Sequence, residues 1–151
     1  MSKRFLTVLV GLAGVGLLAA CGDDGGSEPL TKAEFIEQGD VICAEGEEEA
    51  QVEAEEFAEE NEIDSENPTQ EQAEEAVAAV FVPSLRKQAE ELSELAPPEG
   101  EEEQVEAIVS ALEGAVEELE ENPDALFEEG SNPLEEPSEL AAEFGFEECG
   151  S

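Results

Sequence analysis

The sequence contains no histidine, tryptophan or tyrosine, and only five of its 151 residues are basic: Lys3, Arg4, Lys32, Arg86 and Lys87. Without histidine there is neither the usual general base nor the commonest transition-metal ligand. With so few cations there is no basic patch to displace phosphate counterions, which excludes a nucleic-acid binder. The same shortage argues against a domain lying flat on an anionic membrane. Paired carboxylates can serve glycoside hydrolysis, but with no Trp or Tyr to stack a sugar they carry no such signal here. What the chain has in quantity is acid, 43 side chains of which 38 are Glu. Its length allows one small domain at most. No catalytic set and no cofactor motif emerges, and the expectation is a protein that is not an enzyme.

The first residues read as an address. Lys3 and Arg4 precede an apolar run over residues 5–20, followed by Cys21. A basic start and a Gly/Ala/Leu/Val-rich core are the layout of a secretory signal peptide. The run is at the lower limit for a spanning helix, and Gly11, Gly14 and Gly16 weaken it further. Leu18-Ala19-Ala20-Cys21 looks like a bacterial lipobox, in which small residues fit the peptidase cleft and the thiol takes a diacylglyceryl group. The alternatives are an ordinary secretory signal with an incidental Cys, or an uncleaved anchor. On the lipobox reading, residues 1–20 are the signal peptide and Cys21 becomes the lipidated first residue. Residues 21–29, with Gly22-Asp23-Asp24-Gly25-Gly26-Ser27-Glu28-Pro29 behind the cysteine, form a Gly-rich tether with nothing to bury. The mature chain then carries 43 acidic and three basic side chains, a net charge of −40.

Residues 30–151 read as an acidic helical domain. Thr31-Lys32-Ala33-Glu34 fits a capping box at a helix start. Ile36, Cys43, Ala50 and Phe57 recur every seven residues, with Gly39 and Ala54 near the alternate positions, on one helix ending near Asn61. Gly39 and Gly46 weaken that helix and could admit a close neighbour. Residues 61–68 are a loop by composition, and Thr69-Gln70-Glu71-Gln72 is a second capping box. Ala73, Val77, Val80, Phe81, Leu85, Leu92 and Leu95 keep helical spacing as far as Ala96. Pro83 interrupts them, predicting a kink or two abutting helices. Pro97-Pro98-Glu99-Gly100 ends the stretch. Val105, Ile108, Leu112, Ala115 and Leu119 mark a third helix, closed by Asn122-Pro123. Ala125, Leu126 and Phe127 suggest a short turn. A last helix runs from Pro133 or Pro137 to Phe144, with Gly145 as its left-handed stop and Phe146 as the accompanying contact. No segment alternates like a strand. The expected fold is all-α, a bundle of three or four helices.

Lipidation of Cys21 leaves Cys43 and Cys149 as an even pair in an exported protein, where disulfides form and persist. Their bond would link the first helix to the C-terminus and close a loop of about 100 residues, worth roughly 4.7 kcal/mol by chain entropy. The alternative is two buried free thiols. A nucleophilic cysteine is the poorest reading, since nothing amid so much negative charge lowers a thiol pKa.

These residues carry a resemblance. The lipobox, the stretch Leu30-Thr31-Lys32-Ala33-Glu34-Phe35-Ile36-Glu37-Gln38-Gly39-Asp40-Val41-Ile42-Cys43, then Leu95-Ala96-Pro97-Pro98, and finally Phe144-Gly145-Phe146-Glu147-Glu148-Cys149-Gly150 resemble a family of small uncharacterised actinobacterial lipoproteins. The resemblance implies a helical domain with its ends cross-linked, and no reaction. The chain departs from the family in its extreme Glu content and in Pro137, which stands where a helix former is expected.

The Glu residues sit mostly opposite the apolar stripes, as solvated helix faces. A Glu surplus over Lys also looks like a surface adapted to high salt, where screening removes self-repulsion. The expected function is a non-enzymatic binding or interaction module of the cell envelope. It would meet the membrane through its lipid and an envelope protein or ligand through a helical face, with no nucleic acid and no cofactor. The alternative is an acidic surface protein binding divalent cations with low affinity. Glu47-Glu48-Glu49 and Glu101-Glu102-Glu103 are the runs that could collect them, although neither has the spacing of an EF-hand loop.

Overall fold

The computed structural model describes residues 28–128, 130 and 132–150. The signal segment, the lipobox Leu18, Ala19, Ala20 and Cys21, and most of the tether lie outside the described residues. Helix α1 spans Lys32–Glu60, and its capping box is formed: Glu34 N–H donates to Thr31 Oγ1 at 3.3 Å while Thr31 N–H donates to the Glu34 carboxylate at 3.0 Å. The Thr31 hydroxyl, and after it the Thr31 amide, hold the Glu34 carboxyl below the ordinary carboxylate range. Asn61 ends the helix as its spacing suggested.

The buried stripe of α1 keeps Gly39, Cys43 and Ala50 of the heptad reading and departs from it at the ends. Phe35, Gly39, Cys43, Gly46 and Ala50 are buried, whereas Ile36, Ala54 and Phe57 are only half-buried. Gly39, Cys43, Gly46 and Ala50 keep the four-three-four spacing of a seven-residue seam, and Phe35 joins them one turn earlier. Both glycines on this stripe admit neighbours. A Cβ at Gly46 would strike the Gln88 side chain, and Ser84 Oγ donates to the Gly46 carbonyl at 3.1 Å.

The second stretch resolves its proline in an unforeseen way. Helix α2 (Gln70–Ala76), capped by Thr69 and Gln72, runs into a π turn over Val77–Phe81 and then into α3 (Val82–Glu94). Pro83 lacks an N–H and its ring conflicts with a carbonyl four residues back. The chain answers by widening the turn before it, so Val82 N–H donates to Val77 O, five residues earlier. Helix α3 stops at Glu94, two residues short of Ala96. Leu95 is extended, and Ala96 precedes a proline, which disfavours helical backbone.

Helix α4 (Glu102–Glu121) buries Val105, Ile108, Ala115, Val116 and Leu119, with Leu112 half-buried. Backbone amides at its start, those of Glu102 and Gly100, hold the Glu102 carboxyl below its ordinary value. A 3₁₀ turn (Pro123–Phe127) follows, and α5 spans Glu135–Phe144. Pro137 lies within the first turn of α5, where its missing N–H has no intrahelical acceptor to lose. Gly145, at φ 118°, terminates the helix, and Phe146 N–H reaches back to Ala141 O at 3.0 Å. Among the described residues there is no strand.

Helix α1 packs on α3, α3 on α4, and α4 on α5. The core has two centres. One gathers Phe35, Val105, Ile108, Ala141, Phe144 and Phe146, where the Phe35 ring meets Phe144 edge-on at 5.8 Å and Phe144 stacks on Phe146 at 5.4 Å. The other gathers Val77, Val82, Val116, Leu119 and Ala125 under the π turn. The fold is an all-α bundle of four main helices, with the first tied to the C-terminus.

Candidate functional site

Cys43, on the buried stripe of α1, and Cys149, five residues past the end of α5, form a disulfide with Cα atoms 5.3 Å apart. Two further contacts hold the same C-terminal strap, and a third holds the end of α5 that leads into it. Asp40, one turn before Cys43, accepts from the backbone N–H of Glu147 at 3.0 Å and of Glu148 at 2.9 Å. Phe146 sits against Gly39, where a side chain on residue 39 would collide with its ring. At the start of α1, Lys32 Nζ lies 4.1 Å from the centre of the Phe144 ring. The cross-link is thus one fastening among several.

The disulfide lines a cleft of about 750 Å³. Helices α3 and α4 floor it with Leu85, Leu92, Ile108 and Leu112, and α1 and the α5 segment flank it. The glycine-mediated contacts set its register: Gly39 faces Leu92, and Gly46 faces Ser84 and Gln88. Helix α1 therefore runs antiparallel to α3, and the cleft extends from Cys43, Leu92 and Cys149 toward Ala54 and Phe81. Ala54 lies eleven positions after Cys43, a rise of about 16 Å along α1. At the far end Phe81, the last residue of the π turn, is 41% exposed although it lines an apolar wall. Such turns often mark functional positions, because the extra residue re-aims the side chains beside it.

The polar lining is small. Ser84, Gln88, Gln51 and Ser138 contribute neutral groups, with Gln88 Nε2 donating to Ser84 Oγ at 3.2 Å. The charged residues of the lining are Glu47, Glu48 and Glu148, all acidic. The domain's three cations are engaged elsewhere: Lys32 pairs with Glu101 at 3.3 Å, Arg86 with Glu120, and Lys87 with Glu49. The Glu49 carboxylate raises the Lys87 pKa, chiefly through the hydrogen bond between them. So α1 has a second basic partner besides Lys32, supplied from α3 and not visible along the chain.

The sequence singled out Cys43 and Cys149, and the structure brings them together. The cleft itself escaped it, as did Asp40, Ser84 and Gln88; the nearest signal was the pair of glycines on α1. Among the described residues, no three His, Cys, Asp or Glu side chains converge as they would around a metal ion, at the Glu47-Glu48-Glu49 and Glu101-Glu102-Glu103 runs or elsewhere. No described helix is long and apolar enough to cross a membrane. Comparison with known proteins leaves the chain on its own: no family model, curated protein or solved structure is significantly similar to it.

Proposed function

We propose that this protein is an exported lipoprotein, held at the outer face of a bacterial cell membrane by lipidated Cys21, whose helical domain is a non-enzymatic binding module. The observation that carries the binding role is the cleft beside the disulfide. A concave, mainly apolar site of about 750 Å³ with a few polar groups falls within the size range of small-molecule sites. The address supports the setting: a basic start, an apolar run, Leu18-Ala19-Ala20-Cys21 and a Gly-rich tether occur in the order that export and lipidation require. The Cys43–Cys149 bond fits an oxidising compartment. The resemblance to small actinobacterial lipoproteins points the same way and brings no reaction with it.

The test is native mass spectrometry of the protein extracted from its own envelope, beside the Ala44→Trp variant. Ala44 is an exposed residue of α1 that lines the cleft, so the indole fills the site without entering the core. The expected result is a bound small-molecule mass on the wild type that the variant loses. Identical mass distributions for the two proteins would remove the binding role.

A further inference from the structure

Resting on that reading, we infer that the cleft takes an apolar cation, a single alkyl chain ending in an ammonium group, and rejects fatty acids and other anionic amphiphiles. The shape argues for a chain. The site is elongated along α1, and its floor is formed by Leu85, Leu92, Ile108 and Leu112 on two adjacent helices. The Cys43–Cys149 bond lies toward one end of it and Phe81 toward the other.

The charge argues for a cation. A carboxylate or phosphate entering this cleft would meet Glu47, Glu48 and Glu148 and find no lysine or arginine in the lining. None can swing in from nearby without leaving a partner, because Lys32, Arg86 and Lys87 are each already paired with a Glu on another helix or loop. Like charges brought together at the rim repel. An ammonium group meets the opposite situation. At the rim it finds the carboxylates of Glu47 and Glu48, one residue and two residues beyond the Gly46 that faces Ser84. One turn from Ser84, the exposed ring of Phe81 offers a face to the same charge. The π turn that Pro83 imposes thus has a use: it leaves the exposed Phe81 ring at the end of the cleft away from the disulfide.

The experiment uses the full chain and a photoactivatable dodecyltrimethylammonium probe, with cross-linked residues located by peptide mass mapping. Labelling is expected to concentrate on cleft residues such as Phe81, Leu112 and Leu134, and to be lost in Ala44→Trp. Unlabelled dodecyltrimethylammonium should displace the probe about tenfold more effectively than dodecanol, and dodecanoate should scarcely compete. The double variant Glu47→Gln/Glu48→Gln should narrow the gap between cation and alcohol by about threefold. Equal competition by dodecanoate or dodecanol would overturn the cation while leaving the cleft a binding site. Label scattered over the Glu-rich faces, or unchanged by Ala44→Trp, would overturn both.

Discussion

Phe146 occupies the space that a side chain at Gly39 would need: a Cβ built there lies 2.9 Å from the ring's Cζ and 3.2 Å from Leu92 Cδ2. The C-terminal strap can reach α1, and Cys149 can reach Cys43, because residue 39 has no side chain. Gly39→Ala is expected to destabilise the protein by about 1–3 kcal/mol, as overpacking a filled site does. Gly114→Ala is the control. It lies inside α4, where a Cβ meets nothing within 4 Å, and should stabilise by up to about 1 kcal/mol through helix propensity. Denaturant unfolding of the two variants measures both, and the signs should be opposite.

Asp40 should govern how firmly the strap is held. Its carboxylate accepts from three successive backbone amides, those of Glu147, Glu148 and, at 3.5 Å, Cys149, which no helix satisfies. Asp40→Ala is expected to cost about 1–3 kcal/mol, since charged acceptors to backbone N–H groups are among the stronger hydrogen bonds. The loosened strap should also expose the Cys43–Cys149 bond to reductant, read as a faster loss of the cross-link in a thiol-quench time course. Asp40→Asn, which keeps one acceptor oxygen, should fall between.

The cross-link itself is expected to appear in non-reducing peptide mapping as a Cys43–Cys149 pair. Replacing both cysteines by serine should lower stability by an amount approaching the roughly 4.7 kcal/mol of the chain-entropy relation for so long a loop. A double-serine variant as stable as the parent would mean that Phe146 and Asp40 alone hold the strap.

These expectations show which features are written locally. Both capping boxes, the stops at Asn61 and Gly145, and the candidate cysteine pair were legible because each depends on a few adjacent residues or on compartment chemistry. Phe35 was not. It stands one position from the heptad seam, and only the aromatic cluster with Phe144 and Phe146 explains its burial. The response to Pro83 was visible as a disturbance but not as a π turn, since several backbone solutions avoid the same clash. The cleft was least legible of all. It is the space left where α1 and the α5 segment flank α3 and α4, and no one segment encodes it.

Salt should strengthen the fold. Glu45/Glu49, Glu49/Glu53, Glu55/Glu59 and Glu56/Glu60 on α1 are like-charge pairs one turn apart, each unfavourable by roughly 0.2–0.5 kcal/mol. Lys87 relieves Glu49, and more weakly Glu45, through exposed interactions of small worth. Screening shortens the reach of such repulsion from about 10 Å at 0.1 M to about 3 Å at 1 M. The melting temperature of the oxidised protein is therefore expected to rise clearly between low salt and molar NaCl. A value indifferent to salt would mean that apolar packing dominates and that the surface is not adapted to high salt.

The proposed envelope setting depends on what happens at Cys21. The most direct test is the mass of the N-terminal peptide from protein extracted from its native envelope. A peptide that begins at Cys21 and carries a diacylglyceryl group is the expected result, with Cys21→Ala abolishing lipid labelling. A peptide beginning at Met1, or an unmodified Cys21 on protein that stays in the membrane, would contradict it.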